Sequence, residues 1–568
     1  MMDVRRAAFL HPAKSLNGKR FSGQKGNLFI LFAGIVLLAG CHRPNQAAEG
    51  TSSESQPAPL QTVARIHWLG LNRLSPETNA ASVMAIWNLP ESRKLEHQML
   101  DKLSLAPWPW LHRNLDTNAA ALLRPLLEDV VSNESCLEIR RATNQPSELV
   151  FAIRLDDQRA ALWQTNLAAV LESLTGIHPI PAPNNLSGWL LKKHHVPNLI
   201  ELTRAGDWTL VGAAEDHNGL LNEFQSNIQH SQAPLPAEDT TNWLEADVDP
   251  APVAAFFSLS ARATGGEGRG EVGSKNIPAI SHFHLAVTSD GANVLSHGAA
   301  DFPEPLTLGL QPWNIPTNLI DEKLSSFTLI RGFQPLLASS PVWTNLQIGP
   351  PPDQACLWGG WGIPAQSYFT APLPDASNEV DRLADWALQN QVHWFATNGL
   401  ARFERAKTFN GLDWKGLPYM SPFLCSLATN GQNFIYGGGF PASAQTQPLT
   451  LAGAQAALGQ TNLVYHDWEM TGPRTEQWIF MSQFARLIFH KAQLPPNSTG
   501  LLWLQALPPK LGLSVTDIAQ TGPDELSFTR KSSIGFTAIE LNLLADWLES
   551  PQFPCGLHTF LAPASSQF

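Results

Sequence analysis

Hydrophobic and polar positions follow two different periods along the chain, and these periods predict helices and strands. Residues 91–103 and 118–131 have helical spacing, and the second segment has an apolar face formed by Leu122, Leu123, Leu126, Leu127 and Val130. A strand is predicted where apolar residues alternate at Leu149, Phe151, Ile153 and Leu155. Asp156 can cap the next helix, which ends near Gly176 and has an apolar stripe of Trp163, Leu167, Val170, Leu171 and Leu174.

Shorter apolar runs predict further strands and hairpins. The run at 83–87 is typical of a strand, as is the segment 243–249, after which Asp249-Pro250 indicates the start of a helix. Polar turn residues separate paired runs, and these pairs predict hairpins at 199–211 and 280–297.

The same order of elements returns about 220–230 residues later. Five pairs of segments correspond: 82–86 with 326–330, 147–174 with 367–388, 199–212 with 423–438, 241–249 with 461–469, and 280–297 with 513–529. A period of this length indicates a duplicated domain, because solenoid repeats are only 20–50 residues long.

These patterns predict an α+β fold of two related domains, each with a mainly antiparallel sheet and helices packed on one face. The expected divisions are a signal peptide at 1–40, a flexible tether at 41–62, repeat 1 at 63–303, a Pro-rich linker at 304–322, and repeat 2 at 323–568. The arrangement resembles uncharacterised tandem α+β domains of exported bacterial proteins. That resemblance concerns architecture and implies no catalytic residues.

The beginning of the chain has the pattern of a secretion signal. Six basic residues and one acid precede an apolar run from Leu28 to Gly40. Its 13 residues would span about 20 Å as a helix, whereas the bilayer interior is about 30 Å thick. An uncleaved membrane span is therefore disfavoured.

The end of this run, Leu38-Ala39-Gly40-Cys41, resembles the lipobox of bacterial lipoproteins. The resemblance implies diacylglycerol transfer to the Cys41 thiol, cleavage after Gly40 and acylation of the new amino terminus, with fatty acids such as palmitate. Several acyl chains give a firm membrane anchor, whereas one gives only marginal binding. His42 follows in place of the Asp associated with inner-membrane retention, which favours the outer membrane, facing the periplasm.

Charge and length narrow the function of the mature chain. Without residues 1–40, which hold six of the bases and one of the acids, 31 Lys and Arg stand against 48 Asp and Glu, a net charge of −17. Such a surface repels phosphate backbones, which disfavours nucleic acid as a partner. The remaining length suggests two or more domains.

Four cysteines follow Cys41, at Cys136, Cys356, Cys425 and Cys555. They form no CxxC motif, so no zinc ribbon or thioredoxin-type site is indicated. Export would permit disulfides, but the sequence leaves both their pairing and the alternative of buried free thiols open.

The chain contains no GxSxG, HExxH, P-loop or dinucleotide motif, so we expect no catalytic, cofactor or metal residues. Acids at alternate positions, Glu245, Asp247 and Asp249, share one face of a strand, and Asp467 and Glu469 repeat two of them. They could form a calcium site or an acid–base pair. We prefer the simpler reading, in which the last acids cap the helices that follow.

Histidines and tryptophans are weaker candidates for metal binding and sugar binding. His282 and His284 would share a strand face within reach of one metal ion, but a surface role is favoured. His194 and His195 are adjacent and point oppositely on a strand. Nineteen Trp residues could include a sugar-binding platform, best placed at 358–362, although core packing is the default for Trp163, Trp386 and Trp547.

The sequence favours a non-enzymatic, lipid-anchored protein of the cell envelope that acts as a binding or assembly module. Its partners would be the membrane, through the anchor, and an envelope protein or glycan. The alternative is a cell-envelope hydrolase with its site in the cleft between the two repeats, since pockets prefer domain interfaces.

Overall fold

The computed structural model describes residues 60–111, 113–142, 145–182, 188–192, 199–231, 233–235, 241–253, 279–320, 324–338, 343, 349–362, 366–390, 402–417, 420–429, 431–440, 458–488, 495–550 and 553–554. The segments around Cys41, His194, His195 and Cys555 lie outside these residues.

An α+β fold is confirmed, and the described residues form twenty strands in one open sheet of antiparallel neighbours. The first ten strands are β1 Gln61–Trp68, β2 Ser135–Ala142, β3 Gln145–Arg154, β4 Ile180–Pro181, β5 Gly188–Lys192, β6 Leu199–Ala205, β7 Trp208–Ala214, β8 Leu244–Val248, β9 His282–Ser289 and β10 Val294–Asp301. The other ten are β11 Leu324–Arg331, β12 Gln354–Gly360, β13 Ser367–Pro372, β14 Arg402–Arg405, β15 Gly411–Lys415, β16 Phe423–Thr429, β17 Gln432–Gly438, β18 Leu463–Met470, β19 Leu513–Gln520 and β20 Glu525–Ser532.

The helices lie between these strands. Those of the first half, which is the part from β1 to β10, are α1 Leu71–Leu74, α2 Ala81–Trp87, α3 Pro90–Leu105, α4 Pro107–Trp110, α5 Thr117–Ser132, α6 Asp157–Thr175 and α7 Gly219–Ser231. Those of the second half, from β11 onward, are α8 Gln334–Ala338, α9 Ala376–Asn390, α10 Thr471–Ile488, α11 Thr499–Ala506 and α12 Ala538–Glu549.

The two halves have the same strand order. The first reads β4-β5-β6-β7-β3-β2-β1-β8-β9-β10. The second reads β14-β15-β16-β17-β13-β12-β11-β18-β19-β20. β10 and β20 pair with each other, so the sheet is continuous from one half to the other.

A β-bulge at the same place in each half fixes which residues correspond. It lies between Thr62 and Ala64 in β1 and between Leu324 and Ser326 in β11. When residues are counted from the bulge across the paired strands of each half, His297 of β10 and Thr529 of β20 occupy the same position in their halves. These two residues also pair with each other. The two strand orders therefore meet at the pairing of these two residues.

Most of the predicted helices and strands are confirmed. α3 and α5 cover the predicted segments 91–103 and 118–131, and α6 begins after the cap Asp156 and ends at Gly176, which has a left-handed backbone. Both hairpins of the first half form as predicted.

The prediction of a strand at 83–87 is wrong, because these residues belong to α2. The strand that corresponds to β11 is β1, and it begins at Gln61, within the expected tether. An apolar run of five residues does not distinguish a short helix from a strand.

Helices pack on both faces of the first half, where we expected one covered face. Leu149, Phe151 and Ile153 of β3 point into a core that they share with α5 and α6. Val150 and Ala152, which point the other way, pack with α7. A strand buried on both faces reads as a continuous apolar run, as here.

Candidate functional site

Three neighbouring strands of the first half carry polar side chains on the face opposite α5 and α6. We call this the polar strand face, and it consists of Arg65 and His67 of β1, Glu245 and Asp247 of β8, the adjoining Asp249, and His282 and His284 of β9. Asp247 lies between Arg65 and His284, its partners on the two neighbouring strands. The strand alternation places them on one face, because every second side chain points the same way.

Two aspartate–histidine pairs form the exposed part of this face. His284 Nδ1 lies 2.7 Å from Asp247 Oδ1, and His282 Nδ1 lies 2.8 Å from Asp249 Oδ1. The four side chains are 34–42% exposed. A carboxylate on one ring nitrogen fixes the orientation of an imidazole. The other ring nitrogen of His282, Nε2, lies 3.8 Å from Asp247 Oδ1, so Asp247 is close to both rings. This arrangement can hydrogen-bond a polar ligand and can also act as a base.

A cavity of about 70 Å³ adjoins the pairs. It is lined by Arg65, His67, Glu134, Cys136, Trp208, Ala233, Pro234, Leu235, Glu245 and Asp247. Its volume holds roughly five water molecules, at about 10–15 Å³ of such volume each. The site therefore admits a small polar group rather than a large substrate.

Glu134 supplies the most deeply placed charge of the cavity. Burial opposes its ionisation, but His67 Nε2 at 3.2 Å and Arg73 Nη1 at 2.9 Å outweigh burial and hold the pKa of this carboxyl below its usual value. The carboxylate therefore stays charged at neutral pH.

Glu138 fixes the floor of the site. Its side chain is fully buried and accepts bonds from Thr62 Oγ1, Arg65 Nε and Arg140 Nε. Arg140 continues to Glu223 of α7, and these bonds raise the pKa of its guanidinium. This network of charge-assisted bonds orients Arg65 toward the cavity.

The predicted histidine pair is therefore on one face, where each ring binds an aspartate and Asp247 lies within 4 Å of both rings. Among the residues that the structure describes, no three His, Cys, Asp or Glu side chains come together as metal ligands.

Asp467 and Glu469 do not repeat Asp247 and Asp249, which corrects the expectation from sequence. In the bulge-based alignment Val248 corresponds to Glu469, because Val248 pairs with Ala64 and Glu469 pairs with Ser326. The two sets of acids are thus offset by one residue. Such an offset puts the side chains on opposite faces of the sheet.

Residues 250–253 are helical and the Asp249 carbonyl accepts from the N–H of Val253, so Asp249 occupies the predicted N-cap position. The Asp249 carboxylate accepts from His282, and Glu469 Oε1 accepts from the backbone N–H of Ala538, 2.7 Å away. Ala538 begins α12, which is distant in sequence, and Glu469 also forms a hydrogen bond with the side chain of Thr471, the first residue of α10.

The aromatic and cysteine candidates belong mainly to the core. Trp358 is buried and stacks on Tyr368 and Tyr436, whereas Trp361 is 47% exposed. Trp163 and Trp547 are also buried in cores, and Trp386 packs against one. The described thiols are free and buried, and burial raises the pKa of each: Cys136, Cys356 and Cys425.

The sequence analysis did not identify the cavity residues of β1 and β2. A signal was present in β2, where polar residues alternate at Glu138 and Arg140, but the carboxylate faces the interior. Only the pairing of β1 with β2 and β8 brings Arg65 to both Glu138 and Asp247.

Comparison with protein-family models, with curated proteins and with solved structures gives no match for this chain. Among the described helices, none has both the length and the apolar character needed to cross a membrane.

Proposed function

We propose that this chain is a lipid-anchored extracytoplasmic binding module. The support for the anchor is the motif at 38–41, in which small residues precede Cys41 after an apolar run. The first described strand begins at Gln61, about twenty residues beyond Cys41. The intervening Pro- and Ser-rich composition suits a tether between a lipid anchor and a folded domain.

The module is built from two copies of one domain. The shared strand order supports this proposal, as does the bulge at corresponding places in β1 and β11. Cys136 and Cys356 also fall at corresponding positions, since their strand partners His67 and Leu329 lie equally far beyond the bulge. Gene duplication accounts for such agreement without requiring similar sequences.

The polar strand face is the proposed ligand-binding surface. The observation that carries this proposal is the pair of exposed Asp–His contacts beside a small polar cavity. Fixed imidazole and carboxylate groups present directed hydrogen bonds at little entropic cost, which suits a hydroxyl-rich partner. We therefore favour an envelope glycan over a flat apolar protein surface.

A cell-envelope hydrolase is the second candidate. It is supported by the same pairs, because an imidazole oriented by a carboxylate is a common general base. The catalytic residues would then be His282 or His284, on β9 rather than between the two halves.

The anchor is tested by labelling with radioactive palmitate in the native host. Wild type should incorporate label and partition into detergent, whereas Cys41→Ala should incorporate no label and should remain an uncleaved precursor or become soluble after processing elsewhere. An intact, unmodified amino terminus on the wild-type protein in mass spectrometry would overturn the anchor.

The binding surface is tested by sedimentation of the detergent-solubilised protein with purified cell-wall sacculi. Glu245→Lys should abolish co-sedimentation because it places an opposite charge in the cavity. Glu172→Lys makes the same change of charge on α6, at an exposed position, and should leave co-sedimentation unchanged. Equal sedimentation of both variants would argue against this surface.

A further inference from the structure

The second half has a buried polar layer where the first half has an apolar one. The layer consists of side chains from three adjacent strands, namely Ser326, Thr328, Asp467, Glu469, Ser514 and Thr516. The corresponding residues of the first half are Ala64, Ile66, Ala246, Val248, Phe283 and Leu285. The first half therefore shows that the sheet can hold an apolar layer at these positions. Buried charges usually contribute less stability than apolar groups of similar size.

Two carboxylates lie side by side in this layer. Asp467 is 7% exposed and Glu469 is 4% exposed, on alternate positions of β18. Asp467 Oδ1 accepts from Thr328 Oγ1 at 2.6 Å, and Glu469 Oε1 accepts from the N–H of Ala538 at 2.7 Å.

The surrounding elements supply few compensating charges. Arg474 of α10 attracts both carboxylates, and burial lowers the pKa of its guanidinium. Arg530 of β20 is held by Thr516 and, through two bonds, by Glu540 of α12. Tyr465, on the same strand face, is kept neutral because burial raises the pKa of its hydroxyl. His466 is the remaining titratable neighbour, and it points to the opposite face, where it binds Asp517.

The helix that Glu469 holds connects the two halves. α12 shares a core with α11 and with α3 of the first half, formed by residues such as Leu95, Trp503, Leu504, Leu541 and Leu548. Polar contacts reinforce it, since Lys102 of α3 donates to the Leu548 carbonyl and Gln98 of α3 donates to Glu549. Movement of α12 would therefore change contacts in both halves.

We propose that Glu469 is a proton-controlled latch for α12. With a proton on Glu469, the layer holds one negative charge and the amino terminus of α12 stays bound to β18 through the bond from Ala538 to Glu469. When the proton leaves, two neighbouring buried carboxylates are charged, and lifting of α12 relieves this by admitting water.

The direction of the effect follows from the environment of this carboxyl. Burial, and next the charge of Asp467, raise the pKa of Glu469 from 4.5 to about 7. In the opened form the group regains its ordinary value. The closed form is therefore favoured at low pH, and this advantage is lost as pH rises from about 4.5 through 7. Since each pKa unit is a factor of ten, opening should increase by about 10²–10³-fold.

Hydrogen exchange of the full-length protein, read by mass spectrometry on peptides covering 538–549 between pH 5 and 8, tests the latch. After correction for intrinsic exchange rates, wild-type protection should fall by more than tenfold as pH rises. Glu469→Gln should remove this dependence, because the amide keeps an acceptor for Ala538 and cannot ionise. Asp467→Asn should move the midpoint to lower pH.

Glu148→Gln is the matched control. Glu148 is also a buried strand carboxylate that binds a helix amino terminus, through Gly219 and Leu220 of α7. This variant should keep the wild-type pH profile of α12. Protection in the wild type that does not change with pH, or an unchanged slope in Glu469→Gln, would overturn the proposal.

A second measurement covers the case in which Glu469→Gln does not fold. Infrared difference spectra of the wild type should show loss of a protonated carboxyl band near pH 7, and Asp467→Asn should shift that loss to lower pH. A wild type without any carboxyl titration between pH 5 and 8 would refute the latch.

Discussion

Individual buried charges in this protein are compensated by specific partners, and Asp129 is the clearest case. It accepts three bonds from Arg159 and one from the indole of Trp163, each within 3.1 Å. Burial nevertheless outweighs these bonds and raises the pKa of the Asp129 carboxyl. The Arg159 guanidinium is thus needed to keep a charge inside the α5–α6 contact.

Arg159→Met should lower the free energy of unfolding at pH 7 by about 3 kcal/mol, because it leaves a buried carboxylate without its ion partner. This loss of free energy should become smaller toward pH 4. The pKa of Asp129 is raised in the folded protein, so the native state binds a proton on this carboxyl more strongly than the unfolded state does. Urea denaturation at both pH values measures this.

The control for this variant is Arg93→Met. Arg93 pairs with Glu96 on the surface of α3, with 45% of its side chain exposed. Removing a surface ion pair costs less than about 1 kcal/mol. Equal losses in the two variants would contradict the assigned role of Asp129.

At the scale of elements, helix faces and helix ends decide how much each segment contributes. The apolar face predicted for α5 is only partly buried, because Leu126 is 1% exposed but Leu122 is 36% exposed. The sequence spacing identifies the stripe, while the position of α6 decides which side of it is covered.

Leu126→Ala should therefore destabilise the protein by about 2–5 kcal/mol, the usual cost of a cavity in a packed core. Leu122→Ala removes the same atoms from the surface and should cost less than 1 kcal/mol. Thermal and urea denaturation of both variants test the comparison. A similar loss at both positions would show that α5 is packed differently.

The amino terminus of α7 depends on a residue from another element. Glu148 of β3 accepts from the N–H groups of Gly219 and Leu220 at 3.1 and 2.8 Å. Glu148→Ala should cost about 1–2 kcal/mol, the upper range for loss of a cap. Hydrogen exchange should increase in residues 219–231 and remain unchanged in α6, whose cap is Asp156. Unchanged exchange in α7 would contradict this.

For the whole molecule, the β10–β20 pairing and the helical core of α3, α11 and α12 are the main contacts between the halves among the described residues. Trp503 lies at the centre of that core, 6% exposed, and donates to Ser92 Oγ at 3.1 Å. Each half contributes one partner of this bond, so the core depends on both.

Trp503→Ala should cost about 3–5 kcal/mol and should divide the calorimetric unfolding transition into two, because the halves lose cooperativity. Trp361→Ala, at an exposed position, is the control and should leave one transition near the wild-type temperature. A single, merely shifted transition in Trp503→Ala would show that the strand pairing alone couples the halves.

Local sequence patterns determined the elements whose cause is local. The spacing of apolar residues in α5 and α6, the cap at Asp156 and the turns of the hairpins all depend on interactions within a few residues. The return of the same order of elements along the sequence also predicted that the two halves have the same strand order, and the observed strand pairings agree.

Only the tertiary structure decided which residues meet. A one-residue difference in alignment assigns Asp467 and Glu469 to the wrong face, and no local pattern fixes that register. The partners of Glu138, Glu148 and Glu469 come from other elements of the chain. Because charge pairing and burial act across space rather than along the sequence, both the polar strand face and the latch required the folded sheet.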